Sequence, residues 1–273
     1  MKFASKSILA TAAFLAAGAA SAASGYVWNA GTGTGGLTFS ADALSALSAS
    51  GSNIITATTI PSVPGLPGTG ATNTAIYSKS TGNVSLAFNN ATGVGDTLTT
   101  LQAANSLVNI RRSVFNDDGS ISQYNIYMAE FDVNLTNSTI YANLYSRTNT
   151  GTLVNYGKQA IFTADVPGVV GGTLGNIVVD GVSGGIATGH ASGSLAGSLR
   201  MNGTTANNVL TALGLSTAAT DPVATLVRTA NWGTTNAAGT FTAPAIPEPS
   251  TYALMGLGLV GIAVIRRRRL SKV

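Results

Sequence analysis

Between Leu107 and Val166 the chain reads as successive β-strands joined by short polar turns, and this run constrains the fold more than any other feature. Leu107–Phe115 is a strand, Asn116-Asp117-Asp118-Gly119 a turn, and Ile121–Leu135 a long strand. In that long strand Tyr127, Ala129, Phe131, Val133 and Leu135 recur at period two and are expected on one face. Asn137-Ser138 turns the chain into Thr139–Arg147, and Thr150-Gly151 leads to Leu153–Val166. Antiparallel neighbours of this kind form a meander that buries one face against a second layer. The expected fold is mostly β: an antiparallel sandwich or open barrel with two or three short helices, plus a C-terminal transmembrane helix.

The flanking regions are read from local signals. Gly25–Asn29 is a first strand, Gly31–Gly36 a glycine-rich turn, and Leu37–Phe39 a second strand. Ser40 is placed as the N-cap of a helix over Ala41–Leu47. Asn53–Ile60 is a strand, and Ile60–Gly70, with Pro61, Pro64 and Pro67, is a loop. Ala75–Tyr77 and Val84–Phe88 are strands. Asp96 is placed as the cap of a helix over Thr97–Ser106, although the threonines suit a strand equally well. Asn176–Asp180 is a strand with a hairpin turn at Asp180-Gly181, followed by a glycine-bearing strand over Ile186–Met201. Thr204 or Thr205 caps a short helix reaching Leu213, and Val223–Trp232 is the last strand. Pairing of first and last strands would bring Trp28 and Trp232 together. The β-rich domain is thus expected over residues 23–232, with residues 233–246 as a linker.

The two ends carry targeting chemistry. Lys2 and Lys6 precede an apolar run from Ile8 to Ala20, and Ala20-Ser21-Ala22 fits a small-x-small cleavage site, so residues 1–22 are expected to be a secretory signal peptide. At the other end, Pro247-Glu248-Pro249 is followed by an uncharged stretch over residues 250–265 and then by Arg266, Arg267, Arg268 and Arg269. As a helix that stretch is about 24 Å long at about 1.5 Å per residue, short for a hydrocarbon core of about 30 Å. Four arginines after an apolar helix stay cytoplasmic, which places the middle of the chain across the membrane. Gly256, Gly258 and Gly261 spell G-x-G-x-x-G, but no strand precedes them and no acidic residue follows, so a dinucleotide site is not expected.

This proline-flanked carboxylate, apolar helix and arginine block resemble the PEP-CTERM sorting signal of exported bacterial proteins, which exosortases process. The resemblance covers the signal peptide and residues 247–273, and none of the middle. It implies that Pro247, Glu248 and Pro249 are the recognition motif, residues 251–265 a transient membrane helix, and Arg266–Arg269 the cytoplasmic stop. It further implies a Gram-negative, exopolysaccharide-making source, passage through the Sec translocon, processing by exosortase, and a mature form at the cell surface or outside. Exopolysaccharide is then a candidate partner in a biofilm matrix.

Charge and composition narrow the middle. Setting aside Lys2, Lys6, Arg266–Arg269 and Lys272 leaves seven basic residues of 14, against nine acids once Glu248 is set aside, a net charge of −2. A mildly acidic domain gives no electrostatic reason to bind nucleic acid or anionic lipid. The chain has no cysteine, so disulfides, thiolate metal sites and cysteine nucleophiles are excluded. Charged residues are 9% of the chain, and serine, threonine, asparagine and glycine fill the polar positions. About 225 residues suffice for one well-filled core.

Few residues suggest chemistry. His190 is the single histidine, and a metal site would need partners. A triad could draw on Ser192 and Asp180, but no nucleophile elbow accompanies them. Asp117 and Asp118 fit a hairpin turn better than a Ca²⁺ loop. Glu130 and Asp132 share a strand face and are a weak candidate for a glycosidase pair. Tyr124, Tyr141 and Tyr145 are candidates for a ligand face, with packing as the simpler explanation. The recurring strand-plus-short-helix unit, at Leu37–Leu47 and Leu199–Leu213, resembles the HtaA haem-binding domain in pattern alone, and no haem ligand is carried over. The function expected is that of a non-enzymatic surface or extracellular-matrix protein without cofactor or metal. A secreted ligand- or carbohydrate-binding β-module is the alternative, and a secreted hydrolase the third.

Overall fold

The computed structural model describes residues 26–28, 30–149, 151–164, 176–195 and 198–245. The signal peptide, Pro247-Glu248-Pro249, the helix expected at residues 251–265 and Arg266–Arg269 lie outside these. No helix among the described residues is long and apolar enough to cross a membrane.

The described residues form two antiparallel sheets, facing each other across one large core, and three helices. The larger sheet contains β1 (Val27–Trp28), β3 (Ser52–Ile55), β6 (Asn90–Val94), β7 (Thr97–Phe115), β8 (Ile121–Asn134), β9 (Thr139–Thr148), β10 (Val154–Ala164) and β13 (Leu199–Met201). Its order is β1-β6-β7-β8-β9-β10-β13, with β3 also paired to β7. The smaller sheet contains β2 (Ala30–Thr38), β4 (Ala75–Ser78), β5 (Asn83–Phe88), β11 (Val178–Ser183), β12 (Ile186–Gly193) and β14 (Thr234–Pro244), in the order β11-β12-β14-β2-β5-β4. The expected meander is present: β7 through β10 are sequential antiparallel neighbours.

Helices α1 (Ala41–Ala49), α2 (Gly203–Ala212) and α3 (Pro222–Thr229) contribute Ala46, Leu47, Val209, Leu210 and Val227 to the same core. The Ser40 side chain caps α1 as expected, accepting from the Ala43 amide at 3.2 Å. The cap of α2 is Asn202, not Thr204 or Thr205; its Oδ1 accepts from the Thr204 amide, and the Thr205 hydroxyl instead donates to the Ala160 carbonyl.

Several expectations are corrected. Residues 97–106 are the first half of β7, not a helix; Thr92, Thr99 and Thr100 join hydroxyls across β6 and β7, a use of threonine that only a strand permits. Residues 223–232 begin as α3, not a strand, because Asp221 accepts from the Val223 and Ala224 amides ahead of Pro222 at the helix start. Residues 233–246 are not simply a linker: β14 is an inner strand of the smaller sheet, flanked by β12 and β2. The glycines at 31–36 lie in β2 rather than in a turn. A Cβ at Gly33 would sit 2.4 Å from the Ala238 carbonyl oxygen, so the close approach of β14 requires glycine there. The β11–β12 turn falls at Gly184-Gly185, and Asp180 is the extra residue of a bulge between Val179 and Gly181 in β11. First and last strands do not pair: β1 pairs with β6, Trp28 packs on Tyr26, and Trp232 packs on Phe39 and Phe162.

The expected single face of Ile121–Leu135 is also corrected. Phe131, Val133 and Leu135 enter the main core, whereas Tyr127 and Ala129 face the other way. Glu130, with φ of 55°, forms a bulge that switches the face, and Asn105, with φ of 54°, does the same opposite it in β7. Tyr127 and Ala129, with Leu107 and Tyr145, are covered by Ile60, Val63 and Leu66 of the proline-rich loop, which makes a second small core on the outer face of the larger sheet.

Candidate functional site

The outer face of the larger sheet gathers most of the polar chemistry of the described residues. Beyond the Glu130 bulge, Asp132 pairs with Tyr141 of β9, and Lys158 of β10 pairs with Asn143. The Lys158 ammonium donates to the Asp132 carboxylate at 2.5 Å and stands 5.6 Å over the Tyr141 ring. Asn143 donates to Glu130 at 2.7 Å, and Asn137 donates to the Tyr141 hydroxyl at 3.0 Å. Both carboxylates are therefore held by donors.

Towards the other end of the same face, cross-strand rows continue. Asn109, Tyr127, Tyr145 and Asn155 form one row across β7, β8, β9 and β10. Tyr127 is 5% exposed and burial pushes its phenol up, with the charges of Arg147 and Arg111 opposing. Burial also pushes the Tyr145 phenol up, and Glu130 adds to the effect. The next row is Arg111, Asn125 and Arg147. Arg111 donates through Nε to Asn125 Oδ1 at 3.0 Å, and Arg147 through Nε to the Gly151 carbonyl at 3.1 Å.

The structure does not assemble Tyr124, Tyr141 and Tyr145 into one ligand face. Tyr124 points to the inner side, where the Arg112 guanidinium carbon lies 5.8 Å from its ring and Gly214 abuts it. Tyr145 is buried under the proline-rich loop, and Tyr141 stays half-exposed in its polar cluster. The arginine row was not anticipated. Strand parity marks the face that each of these residues takes, but register alone aligns Arg111 and Arg147 with Asn125.

His190 lies exposed on the smaller sheet, with Nδ1 2.6 Å from Asp180 Oδ1. Ser192, on the same strand, makes no hydrogen bond to it among the described residues. The Asp117-Asp118 segment is the expected hairpin turn. Asp118 accepts from the Ser120 hydroxyl at 2.6 Å and its amide at 2.9 Å, which holds the carboxyl below its usual range. No group of three or more His, Asp or Glu that could hold a metal occurs among the described residues.

Between the sheets, Leu98, Leu101, Val133 and Leu135 face the glycines and alanines of β2 and β14 across about 50 Å³ of free space. A second apolar void of about 40 Å³ adjoins it at Leu37, Leu86 and Ile140. An engineered void of about 150 Å³ admits benzene, so these are packing gaps left by small residues. The outward face of the smaller sheet carries exposed Thr32, Thr34, Thr38, Thr188, Thr234, Thr240 and Thr242. Cross-strand pairs join Thr240 to Thr32, Thr242 to Thr188 and Thr234 to Thr38.

Residues 245–269 match the PEP-CTERM protein-sorting motif. No curated protein matches the chain. Among solved structures, the C-terminal domain of HtaA from Corynebacterium glutamicum is similar at 11% identity and a TM-score of 0.38, over 78% of this chain and 99% of that one. That score is too low to establish a shared fold.

Proposed function

We propose that this chain, which carries a PEP-CTERM sorting motif and so belongs with exosortase-sorted exported proteins, serves as a non-enzymatic surface or extracellular-matrix component among exopolysaccharide. The single observation that carries the reading is the motif at 245–269, placed directly after the last strand of the domain. The last described strand ends at Pro244, a few positions before Pro247-Glu248-Pro249 in the sequence. A threonine-rich face on the smaller sheet, shared with the Asp180–His190 pair, supports a role in a hydrated, sugar-rich matrix. The alternative is a secreted carbohydrate-binding module, favoured by the half-exposed Tyr141 beside Lys158 and Asn137.

The test is retention. Glu248→Ala, or neutral residues in place of Arg266–Arg269, should leave the precursor in the inner membrane while the parent chain is released. Normal release of both variants would overturn the sorting reading.

A further inference from the structure

We infer that the outer face of the larger sheet binds a uronate-bearing, polyanionic glycan through the paired guanidiniums of Arg111 and Arg147. This names the ligand class within the matrix role proposed above and rests on that reading for the glycan.

The geometry is set by strand register. Arg111, Asn125 and Arg147 are direct cross-strand neighbours on β7, β8 and β9, so the two arginines stand two strand spacings apart, about 10 Å, on one face. Each is half-buried, and each uses only Nε within the protein. The Nε bonds fix the plane of both guanidiniums and leave their terminal N–H groups, the pair that grips a carboxylate bidentately, without a protein acceptor among the described residues.

Charge makes the arrangement informative. The domain has only seven basic residues, and two of them, Arg111 and Arg147, share one cross-strand row on the outer face with Asn125 between them. Among the described residues no carboxylate lies within ion-pair distance of either; the ion pairs there are Lys158–Asp132 and His190–Asp180. The flanking segments 52–74 and 149–157 carry no charged side chain at all. The terminal N–H groups of both arginines are therefore open to an anion from outside. An extended chain bearing regularly spaced carboxylates, laid across the strands, meets both forks at once. Tyr127 and Tyr145 of the adjoining row are packed under the proline-rich loop beside this platform.

The test uses the full chain in mild detergent, with calorimetric titration of trigalacturonate, a neutral glucose trimer and inorganic sulfate. Trigalacturonate should bind, the neutral trimer should not, and affinity should fall as salt rises. Arg111→Gln and Arg147→Gln should each weaken binding about tenfold or more, with unchanged melting temperature. Arg111→Lys, which keeps the charge and loses the fork, should fall between. Lys79→Gln, on an exposed turn, should bind as the parent does. No binding of trigalacturonate, equal binding of sulfate, or indifference to both glutamine variants would each overturn the inference. Those results leave release from the membrane untouched, so failure here and failure of the sorting reading are separable.

Discussion

The hydroxyl of Ser106 accepts a hydrogen bond from the Phe131 amide at 2.9 Å and donates one to the Ala103 carbonyl at 2.5 Å. Through this one side chain the facing bulges of β7 and β8 are tied together, at the point where both strands exchange their inner and outer faces. Ser106 is fully buried. Ser106→Ala should destabilise the protein by about 1–3 kcal/mol, because the Phe131 amide is left buried without a partner. Chemical denaturation reads this directly, and an unshifted midpoint would show that the bulges hold without the stitch.

Asn73 anchors the proline-rich loop. Its Nδ2 donates to the carbonyls of Ala57 and Leu107, each at 2.9 Å, and its Oδ1 accepts from the amides of Ala75 at 3.0 Å and Leu107 at 2.9 Å. All the amide's donors and acceptors are thereby used, at 4% exposure. Asn73→Ala should cost about 2–4 kcal/mol and release the loop from Tyr127 and Tyr145. Limited proteolysis should then cut first between residues 60 and 72. Cleavage elsewhere at the parent's rate would show that Ile60, Val63 and Leu66 hold the loop by packing alone.

The buried phenols make stability depend on alkaline pH. Burial raises the pKa of Tyr127 and Tyr145 above 10.0 in the folded state. Above that pH the unfolded chain releases protons that the folded chain keeps, so stability falls as pH rises. The contribution is complete below pH 10 and is lost as pH climbs through the folded values. Melting temperature should be level near neutrality and decline beyond pH 10, and Tyr127→Phe should flatten the decline. An equal decline in that variant would place the alkaline sensitivity elsewhere.

The meander was legible because β7 to β10 are joined by short turns and alternate on one period. The bulge at Glu130 was not, since nothing in Tyr127-Met128-Ala129-Glu130-Phe131 marks a positive φ, and the face switch it causes moved Tyr127 out of the expected core. Thr97–Ser106 carries helical spacing and β-branched residues together; sheet pairing with β6 and β8 decided the contest. Residues 234–244 look like a linker because alanine, glycine and threonine dominate, yet Phe241 and Ala243 alternate inward and long-range pairing on both sides makes them a strand. Asp221-Pro222 marks a helix start, while Val223, Thr225, Val227 and Thr229 after it carry the β-branched character of a strand. The outer-face arginine row depends on register between three strands, which no local window contains.

Intact mass of the protein recovered from culture medium and from membranes tests the central claim most directly. The expected result is a released species lacking both ends, near residues 23–247, with the four arginines gone. A species confined to membranes that keeps Arg266–Arg269 would contradict it and make this a plainly anchored protein.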